Sequence, residues 1–263
     1  MKVWLDGRIT DRATIPALDS SVQIGLGVFE VLRAYDGVPY LLDRHLARMR
    51  KSARHFGLKF GRSDSSIEPG VYSLLRSLKL KSAAVRLVLT AGGSFLIRAA
   101  KLPAIPAKWY REGAAIDYAP WRRDPRAPLY GHKTLNYLEN VLTRERALAK
   151  GLADVLFLSM DGRVLEGCVT NVFLVKGGRI QTPALDGILP GVTRGEVIRL
   201  AKALKIPVEE RRLLPRDVEG ADEEFLTNAL IEVLPVSRVG KSRIGKPGPV
   251  TRELASAYAR RTR

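Results

Sequence analysis

Glu166-Gly167-Cys168-Val169-Thr170-Asn171-Val172-Phe173, then Arg179-Ile180-Gln181-Thr182, then Leu189-Pro190-Gly191-Val192-Thr193-Arg194 alternate strand-like runs with turn residues and end on a helix start. Upstream, Asp154–Met160 and Arg163–Glu166 flank Asp161-Gly162, a strong hairpin signal, and Val172–Val175 and Arg179–Thr182 flank Gly177-Gly178. An antiparallel sheet follows. Thr193-Arg194-Gly195-Glu196 has the form of a capping box, which predicts a helix to about Leu204 on Val197, Ala201 and Leu204. The loop before it delivers backbone N–H groups to a helix N-terminus, where a phosphate would fit.

Outward from this core the N-terminal part alternates strands with single helices. Val28–Tyr35 reads as a strand, Asp36-Gly37 as a turn and Pro39–Leu42 as the partner strand. Asp43 is the expected N-cap of a helix carrying Leu46, Met49 and Ala53, stopped by Gly57; a second helix is expected around Val71–Leu78 and a strand at Ala84–Ala91. Five prolines between Pro103 and Pro128 surround one strand-like run, Ala115–Ala119. This predicts a first domain of residues 1–118, a connection at 119–129 and a second domain of 130–263. A helix from Leu135 should bury Leu138, Leu142 and Ala149 on one face, and a last helix should cover Thr251–Arg260. The fold class is α+β.

The chain has 263 residues, 46% of them hydrophobic and 27% charged, which suits a folded domain or pair of domains. No apolar run is long enough to span a membrane and the N-terminus lacks a signal-peptide core, so a cytoplasmic protein is expected. Cys168 is the single cysteine and reads as a small packed thiol; His45, His55 and His132 lack metal-site spacing, so no metal is expected. The net charge of +17 raises nucleic acid as a partner, but the basic residues mix with acidic ones and form no stripe interleaved with aromatics, which argues against it.

Glu166-x-Cys168-x-x-Asn171-Val172-Phe173, Ile180-x-Thr182 and Leu189-x-Gly191-Val192-x-Arg194 together resemble the long signature of the class IV pyridoxal-phosphate aminotransferases. Gly131-His132-Lys133-Thr134-Leu135-Asn136-Tyr137-Leu138 looks like that family's lysine segment, Arg44-His45-Leu46-Ala47-Arg48-Met49 like its helix with a phosphate-binding arginine, and Thr227-Asn228-Ala229-Leu230 like the element closing its phosphate cup. The resemblance implies a two-domain fold type IV enzyme, a homodimer, and pyridoxal 5′-phosphate at the domain interface.

It also implies roles. Lys133 would carry the cofactor as a Schiff base and move the proton during the reaction. Glu166 would face the pyridine nitrogen, Tyr137 the phenolic oxygen or the lysine. Arg48, Val192 and Thr193 would hold the phosphate, with Asn171, Asn228 and Ala229 lining the cofactor site. Phe29, Val31, Arg33 and Arg98 are candidates for the substrate pocket, the two arginines as carboxylate ligands.

The reaction stays open among family members. Val31 resembles the D-amino-acid transaminases and lacks the threonine hydroxyl often found in aminodeoxychorismate lyase. Thr227-Asn228-Ala229-Leu230 is closer to the lyase, and Ser94-Phe95-Leu96-Ile97-Arg98 departs from the Arg-x-His pattern of the D-amino-acid enzymes. The first expectation is amino-group exchange between an amino acid and a 2-oxo acid. The alternative is elimination of pyruvate to give 4-aminobenzoate, and a more remote one is a non-catalytic cofactor- or polyanion-binding protein.

Overall fold

The computed structural model describes residues 2–262 and is mixed α+β. The chain divides into two compact units: residues up to Ala104 together with His132–Tyr137, and Ile105–Gly131 together with Leu138 onward.

The first unit contains β1 (Val3–Leu5), β2 (Arg8–Thr10), α1 (Ser20–Gln23), β3 (Gly27–Tyr35), β4 (Val38–Pro39), α2 (Leu42–His55), α3 (Asp64–Ser77), β5 (Ala83–Thr90) and β6 (Phe95–Ala100). Its sheet is antiparallel in the order β2-β1-β6-β5-β3-β4. Period-two alternation sorts the two faces. Val28, Leu32, Ala34, Val85, Leu87, Leu89 and Ile97 form a core with Leu46 and Met49 of α2 and Ile67, Val71 and Leu74 of α3. The opposite parity, Phe29, Val31 and Arg33 of β3 with Arg86 of β5 and Arg98 of β6, lies on the other face. Asp43 does not cap α2: Tyr40 N–H still donates to Arg33 O at 2.9 Å, so the chain turns at Leu41, whose φ of 53° starts the helix at Leu42 with no side-chain cap. β4 is correspondingly cut to two residues.

The second unit contains α4 (Ala107–Glu112), β7 (Ala114–Arg123), α5 (Leu138–Ala149), β8 (Val155–Ser159), β9 (Val164–Gly167), β10 (Asn171–Lys176), β11 (Arg179–Pro183), α6 (Val192–Ala203), β12 (Val208–Arg211), α7 (Pro215–Glu219), β13 (Glu223–Asn228), β14 (Glu232–Val239), β15 (Ser242–Arg243) and α8 (Pro249–Ala259). The sheet order is β12-β11-β10-β13-β14-β7-β8-β9, with β15 on β14. Both expected hairpins form, β8–β9 across Asp161-Gly162 and β10–β11 across Gly177-Gly178.

Four further expectations are corrected. β7 runs through Pro120 to Arg123, because its parallel pairing with β8 resumes after a register shift between Tyr118 and Arg122; residues 119–123 are therefore strand rather than connection. The lysine segment 132–137 belongs with the first unit, not the second: Thr134 bridges to Val28, Phe29 N–H donates to Lys133 O at 2.8 Å and Leu135 N–H to Gly27 O at 2.9 Å. Gly27 permits this approach, since a Cβ there would lie 2.6 Å from Leu135 Cδ1 and 2.8 Å from Leu89 O. α6 is capped by Gly191 rather than Thr193, with no side-chain cap bond, and Glu196 instead pairs with Arg199. α5 buries Thr143 and Ala147, whereas Leu138, Val141, Leu142 and Leu148 are exposed, Leu138 at 67%.

Candidate active site

The candidate residues form one set in each unit. In the first, the bridged lysine segment holds Lys133 Nζ 4.5 Å from the centroid of the Phe29 ring and 4.9 Å from that of Tyr137. Those two rings meet edge to face at 5.1 Å. Arg86 packs over Phe29 at 3.9 Å, and β-sheet register puts Val31, Arg86 and Arg98 in one row across three strands. Neither Arg86 nor Arg98 has an acidic partner among the described residues. Burial and the neighbouring Arg98 both push the Arg86 guanidinium below its usual range. Arg33 lies over the Tyr35 ring at 4.4 Å.

Behind that face, Arg48 donates from Nε and Nη2 to the two oxygens of Glu30 at 2.7 and 2.6 Å, and His45 Nδ1 lies 2.8 Å from Glu30 Oε2. Burial alone would push the Glu30 carboxyl up, but Arg48 and His45 hold it down at about 2. Burial pushes His45 down against the pull of Glu30, and Arg48 and Lys133 add to the depression, so the imidazole is neutral at pH 7. The two bonds to Glu30 grip one edge of the planar guanidinium and fix the orientation of Arg48.

In the second set, Glu166 of β9 is buried, and its Oε2 accepts from Leu189 N–H at 3.0 Å and from Asn171 Nδ2 at 3.4 Å. Asn171 Nδ2 also donates to Leu189 O at 3.0 Å, so this side chain ties the carboxylate to the loop preceding α6. Gly191 is required there: a Cβ would fall 2.0 Å from Asn171 Oδ1. Val192 and Thr193 open α6 and are buried; the Thr193 hydroxyl makes no hydrogen bond among the described residues. Asn228 is spent on structure, its Oδ1 accepting from Leu230 and Ile231 N–H and its Nδ2 donating to Val169 O; Ala229 lies in the turn it organises. Thr227 Oγ1, in register with Asn171, is buried without a hydrogen-bond partner.

Sequence reading overlooked Glu30, His45, Arg86 and Arg123. Glu30 and Arg86 did carry a signal, a charge inside an otherwise apolar strand pattern. His45 and Arg123 sit in segments where exposed basic residues are common, and only packing distinguishes them. Among the described residues no three His, Cys, Asp or Glu side chains gather as a metal site would require, and the His55 and His132 rings stack at 4.0 Å.

Residues 27–239 match the model of the class IV amino-transferases. The chain is 33% identical to a putative branched-chain-amino-acid aminotransferase of Methanocaldococcus jannaschii (98% of this chain, 95% of the relative) and 30% identical to the D-alanine aminotransferase of Bacillus licheniformis (98% and 95%). It is 29% identical to the aminodeoxychorismate lyase of Bacillus subtilis (97% and 91%). Among solved structures it is similar to the Escherichia coli branched-chain amino acid aminotransferase, with a TM-score of 0.92, 27% identity and coverage of 98% and 93%. It is also similar to the branched-chain aminotransferase of Thermoproteus uzoniensis with norvaline, with a TM-score of 0.90, 30% identity and coverage of 100% and 94%. The signature around Glu166, the lysine segment and the fold thus agree, and the chain belongs to the class IV aminotransferase family.

Proposed function

We propose that this protein is a pyridoxal-phosphate-dependent transaminase that moves an amino group between an amino acid and a 2-oxo acid, with Lys133 as its catalytic residue. The observation that carries the reading is the lysine itself. Lys133 is fixed to β3 by backbone bonds and its Nζ lies against two aromatic rings, unlike a solvated surface lysine. The second unit suits a phosphate: α6 begins with no side-chain cap, Gly191 leaves no room for a Cβ, and the Thr193 hydroxyl makes no bond within the described residues.

Pyridoxal phosphate, when bound, supplies an electron sink for the negative charge left on the substrate α-carbon. Lys133 Nζ would hold the cofactor and, freed for proton transfer, would take the proton from the substrate α-carbon and deliver it to the cofactor side, so that the amino group changes hands. Tyr137 and Phe29 restrict where that amine can swing. Glu166, tied down by Leu189 and Asn171, is the carboxylate for the pyridine nitrogen. Arg48 and the N-terminal amides and hydroxyl at Val192 and Thr193 hold the phosphate.

Arg86 and Arg98 give the substrate face two adjacent cations without acidic partners among the described residues, and so favour a substrate with a second carboxylate, such as glutamate or its 2-oxo acid. The exposed apolar residues of α5 support a second copy of the chain as partner, testable by light scattering. No helix among the described residues is long and apolar enough to cross a membrane. A cytoplasmic location is part of the proposal, testable by cell fractionation.

The test begins with the purified protein loaded with pyridoxal phosphate and mixed separately with L-glutamate, D-glutamate, a panel of L- and D-amino acids, and aminodeoxychorismate. Loss of the near-visible cofactor band with release of the matching 2-oxo acid is expected, and absent in Lys133→Ala. Full turnover by Lys133→Ala would overturn the assignment. Pyruvate release from aminodeoxychorismate alone, with the band restored, would make the enzyme a lyase instead.

A further inference from the structure

Arg123 closes β7 and is 2% exposed, yet nothing in the reaction just described uses it. Its guanidinium is clamped on three sides. Nε donates to Glu139 Oε2 at 2.9 Å, Nη2 lies 2.6 Å from the same oxygen and 3.1 Å from Asn140 Oδ1, and the Phe157 ring packs against the guanidinium carbon at 3.3 Å. Glu139 is in turn fixed by Trp121 Nε1 at 2.8 Å. Held in this way, the remaining nitrogen, Nη1, faces Glu166 Oε1 at 4.0 Å. Leu189 and Asn171 occupy the other carboxylate oxygen, Oε2.

We propose that Arg123 is a positioning residue that acts through Glu166: its clamped charge keeps the Glu166 carboxylate ionised, so that the proton shared with the pyridine nitrogen rests on the ring. This rests on the proposed role of Glu166 toward pyridoxal phosphate. The physical reason is that Glu166 is buried, and burial favours the neutral acid, whereas a cation about 4 Å away favours the anion. A neutral acid would keep the proton on oxygen and leave the ring nitrogen unprotonated, a weaker electron sink. Glu139 and Asn140 set direction as well as charge, since a planar fork gripped on two edges cannot rotate away as an ammonium can.

The test uses protein loaded with pyridoxal phosphate labelled with ¹⁵N in the ring, read at one fixed pH. The ¹⁵N chemical shift reports the proton directly, and a merely structural role would leave it unmoved. Arg123→Gln is expected to displace the signal toward unprotonated pyridine and to lower kcat about tenfold, the effect of moving one proton equilibrium by roughly one pKa unit, with KM little changed. Arg123→Lys keeps the cation without the fork and is expected to give a smaller displacement in the same direction. A wild-type ¹⁵N position in the glutamine protein, or in the lysine protein should the glutamine protein not fold, overturns the proposal. Failure of the wild type to take up pyridoxal phosphate would overturn the proposed function and this role with it; a loaded wild type with an unmoved variant signal overturns the role of Arg123 alone.

Discussion

Glu30 in the first unit and Glu224 in the second are both completely buried strand glutamates, and they hold opposite protonation states. Arg48 and His45 grip Glu30 and keep it charged, with its carboxyl held at about 2. Glu224 stands in register between Leu174 and Val236 with neither oxygen hydrogen-bonded, and burial pushes its carboxyl up to about 8. Near it the Tyr118 hydroxyl is also buried and unpartnered, and burial first, then the Glu224 charge, push its ionisation up. Burial therefore does not decide charge; the partner does. In the first unit a buried ion network fixes the orientation of an arginine. In the second, an acid sits within an apolar core as a neutral group.

The largest expected difference comes from breaking the paired member. Glu30→Ala leaves the Arg48 cation and His45 without their anion, and should cost about 3–5 kcal/mol, lowering the Tm of the cofactor-free protein by roughly 10 °C in a thermal melt. An unchanged Tm would mean that the network contributes no stability.

Changing the unpaired member should act in the opposite sense. The folded carboxyl of Glu224 at about 8 lies above its ordinary 4.5, so the native state holds a proton that the unfolded chain releases. Its contribution to stability is then greatest below pH 4.5, falls as pH rises toward 8, and is flat beyond. Glu224→Gln has no such fall. Its Tm advantage over the wild type should be near zero at pH 4.5, grow through the window and reach roughly 5 °C or more by pH 9. A difference independent of pH would show that Glu224 is ionised or hydrated in the fold.

A surface pair completes the scale. Arg163 and Asp186 make an ion pair with the Asp186 side chain 60% exposed, and Asp186→Asn should shift Tm by less than about 1 °C, because solvent screens the charges and ordering the side chains offsets their attraction. A larger loss would give surface charge a weight in this strongly basic chain that the buried pair alone is expected to have.

Much of the fold was legible because local rules were sufficient for it. Asp161-Gly162 and Gly177-Gly178 specify tight turns whatever surrounds them, and both hairpins formed, β10–β11 in regular register and β8–β9 with a shift between Leu156 and Leu158. The expectations that failed were those in which a distant partner overruled a local preference. Asp43 lost its cap to a hairpin bond at Tyr40, Thr193 lost its capping box to a helix that starts at Val192, and Pro120 did not end β7 because β8 continues alongside it. The apolar face of α5 was read as core from spacing alone, and spacing cannot tell a face that meets its own unit from one left exposed.

By itself the sequence determined the family, because Lys133, Glu166, Asn171 and the Gly191–Thr193 loop carry constraints of residue type and spacing that survive without coordinates. Tertiary structure alone decided which charges meet. Glu30 and Arg48 are 18 residues apart, Arg86 and Arg98 share a row only through sheet register, and Arg123 and Glu166 approach only because β7, β8 and β9 lie side by side. The energy of a buried charge depends on the few ångströms around it, and that neighbourhood is assembled from segments far apart along the chain.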